Sequence, residues 1–240
     1  MQPHGDHDTE TPGTLHETCV IVAARNEATV IRDVLDDLSA LPCTVVVVDD
    51  GSTDETSEAC LPYPCALLRH MTNLGQGAAL QTGITYALRH LEPRYLVTFD
   101  GDGQHRAADV PALVAPLAGG DYDVTLGTRF ARPRDAAAVP RARRLVLRAA
   151  VAFSRLSSGL PVTDAHNGLR AFTAHAAGRL DIQHAGMAHA SEILHTIKRQ
   201  GLRWCEVPVT VDYTTYSLRK GQRSMGAVDI LWDLVTGRLR

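Results

Sequence analysis

Hydrophobic positions fall into short blocks separated by polar, glycine-bearing breaks, and the blocks alternate between two periodicities. Residues 18–24 form a continuous apolar run that predicts a buried strand. Val30, Ile31, Val34, Leu35 and Leu38 then recur at helical spacing, with Asn26 placed to cap that helix. The β-branched run 44–48 is too short for a helix and predicts a second strand. It ends in Asp49-Asp50-Gly51, ahead of a helix start at Ser52 or Thr53. Strands over 65–68 and 95–99, with a helix over 75–91 between them, continue the rhythm. Further on, the spacing predicts strands over 123–126 and 168–172, helices over 139–156 and 188–199, and an extended stretch over 203–211. Val228, Leu231, Trp232 and Val235 mark the apolar face of a last helix. The alternation implies an α/β fold, a mostly parallel Rossmann-like sheet flanked by helices. No Pro/Gly/Ser-rich linker and no internal repeat divides it, so residues 18–240 read as a single domain.

Composition narrows the class. The chain has 240 residues, 45% hydrophobic and 21% charged, with a formal charge of −3, as expected of one globular domain and not of a fibrous or disordered chain. No apolar run approaches the roughly 18–20 residues that a membrane-spanning helix needs. Residues 1–17 hold four acids, three histidines and no Lys or Arg, the opposite of a secretory signal, and read as a disordered acidic tail. Five cysteines, none at metal-ligand spacing, read as reduced thiols in a cytoplasmic protein. With aromatics at 5% and no global positive charge, a nucleic-acid partner is not expected.

In open α/β sheets ligands bind beyond the carboxyl ends of the strands. The polar residues there are Arg25, Asn26 and Glu27 after the first strand, Asp49 and Asp50 after the second, and Asp100 and Asp102 after the fourth. Asp100-Gly101-Asp102-Gly103-Gln104 sets two carboxylates and an amide oxygen at alternate positions, with glycines that let a ligand approach the backbone. Hard oxygen ligands of this kind suit Mg2+ or Mn2+ shared with a substrate diphosphate. An EF-hand is excluded, because the position eleven residues after Asp100 is Pro111. Asp50 reads either as a helix-capping acid or as an acceptor for a base or ribose, and Glu27 carries the same two readings. Asn73-Leu74-Gly75-Gln76-Gly77 is a glycine-rich helix entry compatible with a phosphate or nucleoside cradle, but it is neither a Walker loop nor a dinucleotide fingerprint. His166, His184, His189 and His195 lack metal spacing, and Glu192 either meets the acceptor or caps a polar network.

Six motifs occur in order: Ala23-Ala24-Arg25-Asn26-Glu27, Val48-Asp49-Asp50-Gly51-Ser52-Thr53-Asp54, Asn73-Leu74-Gly75-Gln76-Gly77, Asp100-Gly101-Asp102-Gly103-Gln104-His105, Gly127-Thr128-Arg129-Phe130 and Asp164-Ala165-His166-Asn167-Gly168-Leu169-Arg170. Together, over roughly residues 18–226, they resemble glycosyltransferase family 2, in the branch similar to dolichyl-phosphate mannose synthase and bacterial polyprenyl-phosphate glycosyltransferases. The resemblance implies a GT-A fold and an inverting hexosyl transfer from a UDP- or GDP-sugar to a polyprenyl phosphate or another acceptor. It matches Ala23, Arg25, Glu27, Val48, Asp50, Gly77 and Gly101 to the nucleotide sugar, and Asp100, Asp102 and Gln104 to the metal and diphosphate. Arg129 matches an arginine on the donor or acceptor phosphate, and Asp164 an acid beside the acceptor. That acid is either a general base for a hydroxyl or a group that only orients an already ionised phosphate.

The family's proline and aromatic residue in the first motif are replaced here by Ala23 and Arg25. Arg219, Lys220 and Arg223 resemble the family's basic C-terminal loop and are candidate phosphate contacts. Eight arginines between 129 and 155 face the single acid Asp135, and Arg141, Arg144, Arg148 and Arg155 recur at helical spacing. They suit either a plain surface helix or peripheral contact with an anionic bilayer at the inner face of the membrane. A sugar-1-phosphate nucleotidylyltransferase is the rival enzyme class, disfavoured because the G-x-G-[ST]-R stretch is absent after the first strand. A catalytically degenerate nucleotide-sugar-binding protein is the non-enzymatic alternative.

Overall fold

In a computed structural model, residues 11–130, 151, 155, 158–164, 167–184, 186 and 188–212 are described. Among them seven strands build one sheet: β1 (Thr18–Ala24), β2 (Thr44–Asp49), β3 (Cys65–Arg69), β4 (Tyr95–Asp100), β5 (Val124–Thr128), β6 (Arg170–Thr173) and β7 (Trp204–Pro208). Their order is β3-β2-β1-β4-β6-β5-β7. The neighbours β3-β2-β1-β4 are parallel, and so are β5 and β7, while β6 runs antiparallel to both β4 and β5. The two reversals at β6 cancel, so β5 and β7 point the same way as β4. The carboxyl ends of β1, β2, β4 and β5 and the amino end of β6 therefore meet at one edge of the sheet.

The central strands β1, β2 and β4 are largely apolar because both faces are covered. Val20, Val22 and Ala24 of β1 and Val45 and Val47 of β2 pack with α1 (Thr11–His16), α2 (Ile31–Ser39), α3 (Thr56–Cys60) and α5 (Val110–Ala118). Cys19 and Ile21, with Val46 and Val48, pack beneath α4 (Gln76–His90), α6 (Ala174–Ala177) and α7 (His189–Arg199). All five cysteines are unbridged. Among the described residues no helix is long and apolar enough to cross a membrane.

Several expectations change. Within the segment read as a tail, α1 occupies Thr11–His16, and Leu15 is buried in the core on the α5 side. One buried leucine in an otherwise polar stretch produces no periodicity. Asn26 does not cap α2, whose N-cap position is Val30 without a side-chain bond. Asn26 instead adopts a left-handed φ of 53°, donates its N–H to Ser52 Oγ (2.9 Å) and accepts from Thr53 N–H (2.9 Å). Ser52 and Thr53 are thereby held in a loop, and α3 starts only at Thr56. Helix α5 has no counterpart in the sequence pattern, because Pro111 and Pro116 interrupt it. Pro111 sits in the first turn, where its missing N–H costs nothing, and Val110, Leu113, Val114 and Leu117 still bury one face. The long helix expected over 139–156, apart from residues 151 and 155, and the last helix with Trp232 lie outside the described residues.

Candidate functional site

The end of β1 is flanked closely by two loops. Asp50 N–H donates to Ala24 O (2.9 Å) and Gly101 N–H to Ala23 O (3.0 Å). A Cβ on Gly101 would stand 3.0 Å from Ala24 Cβ, so the loop after β4 crosses this strand end at close range. Asp49 and Asp50 differ in role. Asp49 is fully buried and accepts from Ser52 N–H (2.8 Å) and the Ser57 hydroxyl, which locks the turn into α3. Asp50 accepts from the N–H groups of Leu74 and Gly75, both at 2.8 Å, and from the His70 ring at 2.8 Å. His70 in turn meets Thr82 Oγ1 at 3.0 Å, so Asp50 ties the 70–75 loop to the start of α4.

Asp100 lies where four elements converge. Its Oδ1 accepts from Gln76 Nε2 (2.7 Å) at the start of α4, and its Oδ2 from His105 Nε2 (3.0 Å). Gly168, just before β6, lies against the carboxylate: a Cβ there would sit 2.3 Å from Oδ2 and 2.6 Å from Oδ1. Arg170 lies buried nearby, donating from Nε to Asn167 O (3.1 Å). Burial draws the Arg170 guanidinium down to about 10, against the pull of Asp100 and Asp164. Burial pushes Asp100 upward, but the hydrogen bond and charge of His105, with His189 and Arg170, outweigh it and hold the carboxyl below its ordinary value.

Asp102 is pushed the other way. Burial raises its pKa, and the neighbouring Asp100 charge adds to the rise. Gln104 offsets part of this by donating its backbone N–H to Asp102 Oδ1 (3.1 Å) and its Nε2 to Oδ2 (2.6 Å). Asp102 is therefore the carboxylate of the pair whose charge is poorly supported, and a divalent cation would favour its ionised form. Among the described residues no cluster of three His, Cys, Asp or Glu side chains forms a metal cage. Two carboxylates fit an ion of the Mg2+ type, which keeps waters and takes further ligands from a diphosphate. The loop is braced from behind, since Asp212 N–H donates to Gln104 O (2.9 Å) and Arg106 holds the Asp212 carboxylate at 2.6 and 2.7 Å.

On the far side of β4, Arg129 follows β5 and is almost completely buried. Its Nε donates to Asp164 Oδ2 at 2.6 Å, its Nη2 to Oδ1 at 3.3 Å and its backbone N–H to Oδ2 at 3.1 Å. The Asp164 side chain is 1% exposed. Paired charges so placed form a rigid unit, since removing one partner leaves the other buried and unpaired.

Not every expected residue faces this edge. Val48 is fully buried beneath α4, its Cγ2 3.2 Å from where a Gly83 Cβ would lie, so its side chain belongs to the core and not to a nucleoside contact. Gly77 is packed tightly at the start of α4: a Cβ would fall 2.1 Å from the His184 carbonyl oxygen, so the position requires glycine. Ala23 is partly buried against the α4-side core, Arg25 is exposed, and Glu27 is buried with its N–H on Thr56 Oγ1 (2.8 Å). Glu192 accepts from the N–H groups of Gln183 and His184 and caps that segment. His189 is a buried residue donating to Gly186 O. His166, Arg219, Lys220 and Arg223 lie outside the described residues. Gln76, His105, Gly168 and Arg170 surround Asp100, yet sequence reasoning assigns them no individual role. Their only signal is membership of the motif strings, because contacts between distant loops leave no periodicity.

Comparison with known proteins agrees with this architecture. Residues 19–178 match the family described as Glycosyl transferase family 2. An uncharacterized protein of Methanocaldococcus jannaschii is 35% identical over 226 residues, covering 93% of each chain. A UDP-N-acetylglucosamine–dolichyl-phosphate N-acetylglucosaminyltransferase of Methanococcus voltae is 28% identical over 236 residues, 90% of this chain and 94% of that one. Among solved structures, glucosyl-3-phosphoglycerate synthase of Mycobacterium tuberculosis with Mg2+ and UDP superposes at a TM-score of 0.70 and 21% identity, covering 98% of this chain and 85% of that one. By fold, by the order of its motifs and by the extent of the family match, the chain is a glycosyltransferase that belongs to family 2 and has the GT-A fold.

Proposed function

We propose that this glycosyltransferase moves a hexose from a UDP- or GDP-sugar to a polyprenyl phosphate, with inversion and with Mg2+ or Mn2+, at the inner face of a membrane it touches peripherally. The observation that carries the choice of acceptor is the Arg129–Asp164 pair. Both Asp164 oxygens are engaged by Arg129 and the side chain is buried, so it is badly placed to take a proton from a hydroxyl. An already ionised phosphate needs no base. The Methanococcus voltae relative, whose name includes a dolichyl phosphate, supports the same class. The mycobacterial structure, a complex with Mg2+ and UDP, supports the donor and the cation.

In this reading an acceptor phosphate oxygen attacks the anomeric carbon opposite the leaving group. The new C–O bond forms as the bond to the diphosphate breaks, and the bonding pair leaves on the nucleoside diphosphate. Asp100 and Asp102, with Gln104 steadying Asp102, would hold the cation, which neutralises diphosphate charge when bound. Arg129, fixed by Asp164, presents preorganised positive charge to phosphate oxygens at no reorganisation cost. Glu27 and Asp50 would serve the nucleoside, with the exposed Arg25 beside them.

A thermal-shift panel of UDP, GDP, CDP and dTDP, each with Mn2+ or chelator, tests the donor half, because a ligand of the folded state raises the melting temperature by mass action. One diphosphate should give a shift that chelator abolishes. Shifts with none of them in a folded sample would remove this reading in favour of a degenerate protein.

A further inference from the structure

The carboxylate of Glu206 lies behind the Arg129–Asp164 pair and is committed to a single dipeptide. In β7, Glu206 is in register with Leu126 of the neighbouring β5. Its Oε1 accepts from Thr163 N–H at 2.5 Å and from Asp164 N–H at 3.3 Å, and its Oε2 accepts from the Thr163 hydroxyl at 2.8 Å. Thr163 Oγ1 is also 2.8 Å from Thr128 Oγ1, which accepts from Phe130 N–H at 3.2 Å. Arg129, between Thr128 and Phe130, returns to Asp164 through its own N–H and its guanidinium. The contacts therefore close a ring from Glu206 through Thr163 and Thr128 to Arg129, and through Asp164 back to Glu206.

We propose that Glu206 is a positioning residue for sugar transfer, setting the orientation of the buried Arg129–Asp164 pair by gripping the 163–164 backbone from the adjacent strand. The inference rests on the proposed role of Arg129 at the phosphates. Charge-assisted bonds from a carboxylate to backbone N–H groups are strong and directional. Without Glu206, two amides and a hydroxyl lose their acceptor, and the Asp164 carboxylate loses its backbone anchor while keeping its partner. Reaction rate is sensitive to ångström-scale misplacement of such groups, whereas donor binding through the β1, β2 and β4 loops is not touched. Glutamine restores the grip. Its carbonyl oxygen accepts from both amides, and its NH2 donates to Thr163 once that hydroxyl turns toward Thr128.

The test compares wild type, Glu206→Ala, Glu206→Gln, Thr163→Val and the Glu206→Ala/Thr163→Val double variant. It uses steady-state transfer to a polyprenyl phosphate and NMR of the Arg129 Nε–H, assigned by its loss in Arg129→Lys. Glu206→Ala should lower kcat about 10- to 100-fold with the donor KM within about threefold. Its Arg129 Nε–H should exchange at least about tenfold faster, and Thr163→Val should add little to it, as expected for members of one network. Glu206→Gln should stay within about threefold of wild type in both readouts. The proposal is overturned by wild-type kcat and exchange in Glu206→Ala, by a donor KM effect with kcat unchanged, or by Glu206→Gln as damaged as Glu206→Ala. If wild type transfers to no phosphate acceptor, the functional reading fails, and the Nε–H exchange alone decides whether Glu206 grips the pair. If Glu206→Ala does not fold, Glu206→Gln and Thr163→Val carry the same NMR comparison.

Discussion

Gly168 and Asp102 control the acidic edge by opposite means, one by lacking an atom and the other by carrying a charge. A Cβ at 168 would overlap both oxygens of Asp100. Gly168→Ala therefore has to displace the carboxylate from Gln76 and His105, and transfer should fall at least about 100-fold, the scale of losing one preorganised electrostatic group. Activity within tenfold of wild type, in a protein of unchanged melting temperature, would contradict that placement. Asp102 behaves differently because its folded-state pKa is raised by burial and by Asp100. The native state thus holds the proton more tightly than the unfolded chain does. Ionising Asp102 costs stability that is fully present above its raised value, shrinks as pH falls below that value and is gone below the ordinary carboxylate range. Asp102→Asn should therefore melt higher than wild type at neutral pH in chelator and gain less stability from Mn2+. A lower melting temperature in chelator would contradict the sign of the shift. Function placed in a destabilising position is the general expectation for binding sites.

At the scale of elements, legibility follows burial on two faces. Strands β1, β2 and β4 are readable because their cores are largely apolar runs buried on both faces, and α2 and α7 because their buried residues repeat at helical spacing. What escapes is what local pattern cannot encode. Helix α5 is hidden by Pro116, and α1 by having Leu15 as its sole buried hydrophobic residue among those placed in the core. The loop over 50–55 resembles a helix start in sequence, but Asn26 binds Ser52 and Thr53 from another strand end. The site is legible to the same degree. Asp100, Asp102, Arg129 and Asp164 reach the predicted edge, but the direct pairing of the last two and the burial of Val48 depend on packing. Leu15→Ala tests the docking of α1. Removing a buried leucine side chain costs about 2–5 kcal/mol, so urea unfolding should show a loss of about 2 kcal/mol at this rim position. A loss below about 0.5 kcal/mol, typical of surface substitutions, would return the segment to a tail.

For the whole molecule, the cancelled reversals around β6 bring the amino end of one strand to the carboxyl ends of four others, so acids, Arg129 and Arg170 share a small area. The opposing shifts of Asp100 and Asp102 and the closed Arg129–Asp164 pair follow from that crowding. Because Asp164 is not a free base, the pH dependence of transfer should belong to the acceptor. kcat/KM should rise as the phosphate gains its second charge near pH of about 6, as for other phosphate monoesters, and then stay level. The measurement that tests this most directly is transfer from the nucleotide sugar selected by the diphosphate panel, with Mn2+, to a polyprenyl phosphate and to the matching polyprenol. Product should form from the phosphate and not from the alcohol, and the reaction should be lost in chelator. Transfer to the alcohol at a comparable rate would contradict this, since a hydroxyl acceptor requires the base that Arg129 occupies.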